Sequence, residues 1–100
     1  MLKHLTETDF DATIAEGTVL VDFWATWCGP CRMLGPVIEQ LAADFDGKAT
    51  VAKVDVDECS ALAMRYGIQS IPTVIVFKDG KPVHTLVGLR SYEDYAALLN

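Results

Sequence analysis

Three side chains carry most of the chemical potential of this 100-residue chain: Cys28, Cys31 and Asp22. The cysteines are separated by Gly29 and Pro30. They follow the apolar run 19–24 and precede a stretch in which Leu34, Val37, Ile38, Leu41 and Phe45 recur at helical spacing. Two thiols where a strand gives way to a helix suit reversible disulfide chemistry. The thiolate is the nucleophile. At a helix N-terminus a negative charge gains roughly 0.3–2 kcal/mol from the dipole and the free N–H groups. That gain draws a thiol toward neutral pH, where an attacking thiol exchanges fastest. Cys28 precedes the helix and is the expected attacker. Cys31, one turn in, is expected to be shielded and to resolve the mixed disulfide. A purely structural bridge is the weaker reading, because so small a loop constrains the unfolded chain by only roughly 2 kcal/mol. Zinc needs about four ligands, and only Cys59, His4 and His84 remain, with no second close pair. No metal and no cofactor are expected.

Asp22 interrupts Val19-Leu20-Val21-Asp22-Phe23-Trp24, a run that reads as a strand buried on both faces. Burial raises a carboxylate pKa. The residue stands roughly 20 Å of extended chain before Cys28. Because the chain turns back into the helix, Asp22 is expected beneath the cysteines, exchanging a proton with Cys31 during resolution. Lys53, on a neighbouring strand, either offsets part of that charge or snorkels to solvent. Trp24 reads as a core aromatic. Trp27, beside a nucleophile that must be reachable, reads as an exposed apolar contact. Cys59 shares spacing with Leu62, Ala63 and Tyr66 and reads as a small buried residue. His4 and His84 are expected at the surface. On the ordinary preference of X–Pro bonds, Ile71-Pro72 is expected to be trans.

The elements that must position these groups alternate. Residues 2–5 give a faint edge-strand signal. Thr8 and Asp11 have capping-box spacing ahead of a helix that carries Phe10 and Ile14 and stops at Gly17. After the strand 19–24 and the helix from Cys28 to Asp46-Gly47, residues 49–54 form a further strand. Pro30 suits the first turn of that helix, whereas Pro36 should kink it. Asp57 is a candidate cap for a short helix ending at Tyr66-Gly67. Residues 73–77 and 83–87 flank an Asp79-Gly80 turn of hairpin type, with Pro82 marking the start of the return strand or an edge. Ser91 and Asp94 have capping-box spacing for a last helix on Tyr92, Tyr95, Leu98 and Leu99. The order β-α-β-α-β-α-β-β-α predicts an α/β domain, a mixed sheet covered on both faces. Its chemistry is expected at the carboxyl end of a strand.

Composition sets limits. The chain is 51% apolar and 22% charged, with a net charge of −6. The length fits a single domain, residues 1–100. Acidic charge argues against nucleic acid, whose phosphates attract basic surfaces. No run approaches the roughly 20 apolar residues of a membrane span. Residues 1–7 carry an early acid and no long apolar stretch, unlike a signal peptide. The expectation is a cytoplasmic monomer that meets its partners transiently.

Ala25-Thr26-Trp27-Cys28-Gly29-Pro30-Cys31, following Val21-Asp22-Phe23-Trp24, resembles the signature of the thioredoxin family. The sequences 53–57, 66–68, 71–73, 77–80 and Val87-Gly88 stand in that family's order, so the resemblance spans nearly the whole chain. It implies a thioredoxin fold, a central mixed sheet of four to five strands flanked by four helices. It also implies a reductant of protein disulfides that uses Cys28 and Cys31 as the redox disulfide and is recharged by a thioredoxin reductase. Asp22 matches the family's buried acid and Lys53 its neighbouring lysine. Pro72 matches its cis-proline, which reverses the trans expectation. Ile71 is implied to offer backbone groups to an extended substrate. Trp27, Gly29, Pro30, Gly67, Ile68 and Gly88 match the surrounding substrate-binding surface. Gly29-Pro30 resembles the reducing members. Arg32 stands where lysine is common, Gly35 replaces a better helix former, and the last helix is shorter than usual.

Overall fold

A computed structural model describes residues Met1–Asn100. Strands β1 (Lys3–His4), β2 (Thr18–Trp24), β3 (Thr50–Asp55), β4 (Thr73–Lys78) and β5 (Lys81–Val87) form one sheet in the order β1-β3-β2-β4-β5. Helices α1 (Phe10–Ile14), α2 (Gly29–Asp44), α3 (Ser60–Arg65) and α4 (Tyr92–Leu99) flank it. β1 and β2 run parallel to β3, whereas β4 is antiparallel to both β2 and β5. The expected mixed α/β sheet is therefore present, and the faint strand at residues 2–5 is its edge.

β2 is the centre of the sheet, and alternation along it sorts two cores. Val19, Val21 and Phe23 pack with Phe10, Ile14, Leu62 and Phe77 on the α1/α3 face. Leu20 packs with Leu34, Ile38, Leu41, Tyr95 and Leu99 on the α2/α4 face. By the same alternation Asp22 points to the α2/α4 face. Its register partners are Lys53 on β3 and Val74 on β4. The register is fastened at the far end of β2. Gly17 N–H donates to Asp79 Oδ1 at 2.8 Å, and Asp79 N–H donates to the Gly17 carbonyl at 2.9 Å. Asp79 (φ 49°) and Gly80 (φ 87°) both take the left-handed backbone that a two-residue hairpin turn requires.

Two expected caps fall elsewhere. Thr8 does not cap α1. Asp9 occupies the N-cap position without a side-chain cap bond, and its Oδ1 instead accepts from Thr6 N–H at 2.7 Å and from the Thr6 hydroxyl at 3.2 Å. Asp57 does not cap α3. The Asp55 carboxylate accepts from the N–H groups of Asp57 and Glu58, which forms a turn and delays the helix until Ser60, with Cys59 at the N-cap. Pro36 lies inside α2 without ending it. The Ser91–Asp94 capping box forms as its spacing indicates.

Candidate active site

Cys28 is the N-cap of α2, and Cys31 lies in its first turn. Their sulfurs are joined, with Cα atoms 5.2 Å apart. Cys28 has an extended backbone, and its Sγ accepts the Cys31 N–H at 3.2 Å, so that sulfur lies where the helix presents free donors. Pro30 occupies the first turn, where its missing N–H costs nothing. Cys31 is fully enclosed, and Cys28 keeps 5% of its surface. The small difference has the expected sense: Cys28 is the more exposed residue of the pair.

The loop before β4 faces the pair. Ile71-Pro72 is a cis peptide bond, and the Ile71 carbonyl oxygen lies 3.8 Å from Cys28 Sγ. The trans expectation is overturned, in the direction the resemblance implied. Gly88 N–H donates to the Pro72 carbonyl at 2.8 Å. Gly88 takes φ +88°, which a side chain would strain. Trp27 is 67% exposed, and its Nε1–H donates to Asp57 Oδ2 at 2.8 Å. Trp27, Val56, Ala63, Met64, Ile68 and Ile71 line an open, mostly apolar hollow of about 290 Å³ beside the cysteines. Gly67 and Ile68 border a second hollow toward β5.

Asp22 is completely buried, and neither carboxylate oxygen has a hydrogen-bond partner. Burial pushes its pKa up from 3.8 to about 7, and the Lys53 charge opposes part of that rise. Lys53 makes no ion pair with Asp22. Its Nζ stands 3.8 Å above the centre of the Trp24 ring, half-exposed at the β3 edge of this face. It therefore acts on Asp22 through space rather than by contact. The Tyr95 phenol is also buried, which pushes its pKa up. The Arg90 N–H bond lowers it again, and the Asp22 charge adds to the rise.

Cys59 takes no part in this cluster. It lies in the α1/α3 core, with Sγ 3.8 Å from the Leu5 carbonyl. Burial raises its thiol pKa, and the charges of Glu7, Glu58 and Asp55 add to that effect. Limited iodoacetamide treatment of the reduced protein is expected to modify Cys28 at least about tenfold faster than Cys59. Peptide mapping that found Cys59 labelled first would overturn its buried assignment.

The profile of the family named Thioredoxin matches residues 1–100. The chain belongs to the thioredoxin family. A thioredoxin of Staphylococcus epidermidis is 55% identical over 99 residues, covering 99% of this chain and 95% of that one. A thioredoxin of Staphylococcus aureus is 54% identical over the same shares. Among solved structures, a mutant thioredoxin from Halobacterium salinarum superposes with a TM-score of 0.91 at 43% identity, over 98% of this chain and 87% of the other. With Cys28 and Cys31 at disulfide distance, the chain is a thiol–disulfide oxidoreductase of the thioredoxin type, acting on protein disulfides. No helix is long and apolar enough to cross a membrane.

Two further groups stand beside this cluster. Asp57 has the position of a helix cap in the sequence, yet it anchors the Trp27 indole. Met64 is 82% exposed at the rim of the apolar hollow. Nothing in the sequence alone marks Met64, since its exposure is set by how α3 packs.

Proposed function

We propose that this chain is a single thioredoxin domain, residues 1–100, which works as a cytoplasmic monomer. It reduces disulfides of protein substrates, and a thioredoxin reductase returns it to the dithiol. The observation that carries the reading is the Cys28–Cys31 bridge at the start of α2, facing the Ile71 carbonyl. The Cys28 thiolate attacks one sulfur of the substrate disulfide, and the other leaves as a thiolate. Cys31 passes its proton to the Asp22 carboxylate, attacks Cys28 Sγ and expels the second substrate sulfur. That sulfur takes the Cys31 proton back from Asp22 and the first takes one from solvent, so two electrons leave the protein and both substrate sulfurs end as thiols. A carboxyl group with a pKa of about 7 can both accept and return a proton near neutrality. Lys53 tunes that carboxyl by its charge. Trp27, Gly29, Pro30, Gly67, Ile68 and Gly88 form the contact surface, and the backbone of Ile71-Pro72 pairs with an extended substrate segment.

Reduction of insulin by dithiothreitol tests the reading. Catalytic amounts of the protein should accelerate precipitation of the insulin chains. No acceleration would leave only a docking scaffold. Replacing Asp22 with Asn should slow resolution of the mixed disulfide near neutral pH, and an unchanged rate would remove its proton role. The reduction potential of the pair separates a reductant from an oxidant.

A further inference from the structure

The substrate face is bordered by residues 87–90, and one buried side chain holds that border from behind. Tyr95, on α4, is fully enclosed. Its hydroxyl accepts the Arg90 N–H at 3.2 Å and donates to the Gly88 carbonyl at 3.4 Å. Gly88 in turn donates its N–H to the Pro72 carbonyl at 2.8 Å, and the Ile71 carbonyl lies 3.8 Å from Cys28 Sγ. A hydrogen-bonded path thus runs from α4 through the border loop to the backbone beside the reactive sulfur. Helical periodicity explains an aromatic ring at position 95, but not a hydroxyl. Leucine or phenylalanine would fill the same core volume without a buried polar atom.

We infer that the Tyr95 hydroxyl is a positioning group for protein substrates, fixing Gly88 and Arg90 so that the border loop presents its backbone in one arrangement next to Ile71-Pro72. Both polar atoms that it satisfies belong to the loop, which turns on the left-handed Gly88 and whose own side-chain bond, Arg90 Nε–H to the Val87 carbonyl at 3.4 Å, closes within the loop and does not tie it to the body of the fold. Without the hydroxyl, the Arg90 N–H and one Gly88 carbonyl lone pair lose their partner, and the loop gains alternative positions. The phenol keeps its proton throughout the working pH range, because burial raises its pKa, so it can always donate to Gly88.

This inference rests on the proposed disulfide reduction, and the test separates the two. Wild-type protein, Tyr95→Phe and Tyr95→Leu are compared for reduction of insulin and of a small aromatic disulfide, dithiobis(nitrobenzoate), which is too short to span the border loop. Phenylalanine keeps the ring and removes only the hydroxyl. Loss of the hydroxyl's two neutral hydrogen bonds predicts a rise in KM for insulin of at least about threefold. It also predicts an unchanged kcat, unchanged small-disulfide reduction and faster amide exchange at Arg90. An unchanged KM for insulin with Tyr95→Phe would overturn the inference, as would an equal loss on both substrates, which marks a general packing defect. If wild-type protein reduces neither substrate, disulfide reduction itself fails, whatever the variants do.

Discussion

Cys31→Ser is expected to accumulate stable mixed disulfides with protein substrates, whereas Cys28→Ser captures none. The asymmetry follows from where the two sulfurs stand. Cys28, at the N-cap, is the sulfur with a path to solvent, and it receives the Cys31 N–H; Cys31 is closed off within the first turn. In the proposed order of attack an incoming disulfide therefore meets Cys28. Once the mixed disulfide has formed, release depends on a thiol already held in contact. Well-oriented intramolecular groups reach effective molarities of about 10⁵ M or more. Without Cys31, release falls to external thiol at millimolar concentration, so turnover should drop by at least about 10³-fold. Gel analysis under non-reducing conditions, with and without dithiothreitol, reads this directly. Equal trapping by Cys28→Ser would mean that the roles are reversed.

Asp22→Asn is expected to stabilise the folded protein at pH 8 and to do little at pH 4. The carboxyl has a folded pKa of about 7 against an ordinary value of 3.8. The unfolded chain therefore releases this proton first as the pH rises. Folding stability falls from pH 4 to pH 7 and stays low above it. At about 1.36 kcal/mol per pH unit the full difference is about 4 kcal/mol, an upper value because the mutant amide is itself buried without partners. A gain of about 2–4 kcal/mol at pH 8 should appear in urea unfolding of the oxidised protein. The same gain at both pH values would show that the penalty is one of shape rather than of charge. The protein thus keeps a destabilising group at its centre, which the proposed proton transfer with Cys31 would account for.

The redox pair was legible because its chemistry is written in adjacent residues: two thiols, a proline suited to a first helical turn, and an apolar strand before them. The three inner strands followed from their apolar runs, and the last helix from its capping box. What escaped was set by contacts distant in sequence. Asp57 looks like a cap when read beside Glu58 and Cys59, yet Asp55 wins the turn and leaves Asp57 to Trp27, thirty residues away. The isomer of Ile71-Pro72 has no local determinant, and only the resemblance pointed to cis. The spacing places Tyr95 on the last helix, but its hydroxyl acquires meaning only when Gly88 and Arg90 fold over it.

The ladder of β2 has a genetic consequence. Strand side chains alternate, so a one-residue shift moves every group to the opposite face. Residues 18–23 of β2 are register partners of β4, and residues 19–24 of β3, with the far end clamped by Gly17 and Asp79. Inserting or deleting one residue within 18–22 leaves the strand apolar but turns Asp22 into the core of Phe10 and Phe77. It also brings Val21 or Phe23 to the α2/α4 face in its place. Substitutions in β2 should often be tolerated when size is kept, whereas single-codon insertions or deletions there should be null. The segment 46–49, which sets no alternation, should accept the same changes in length.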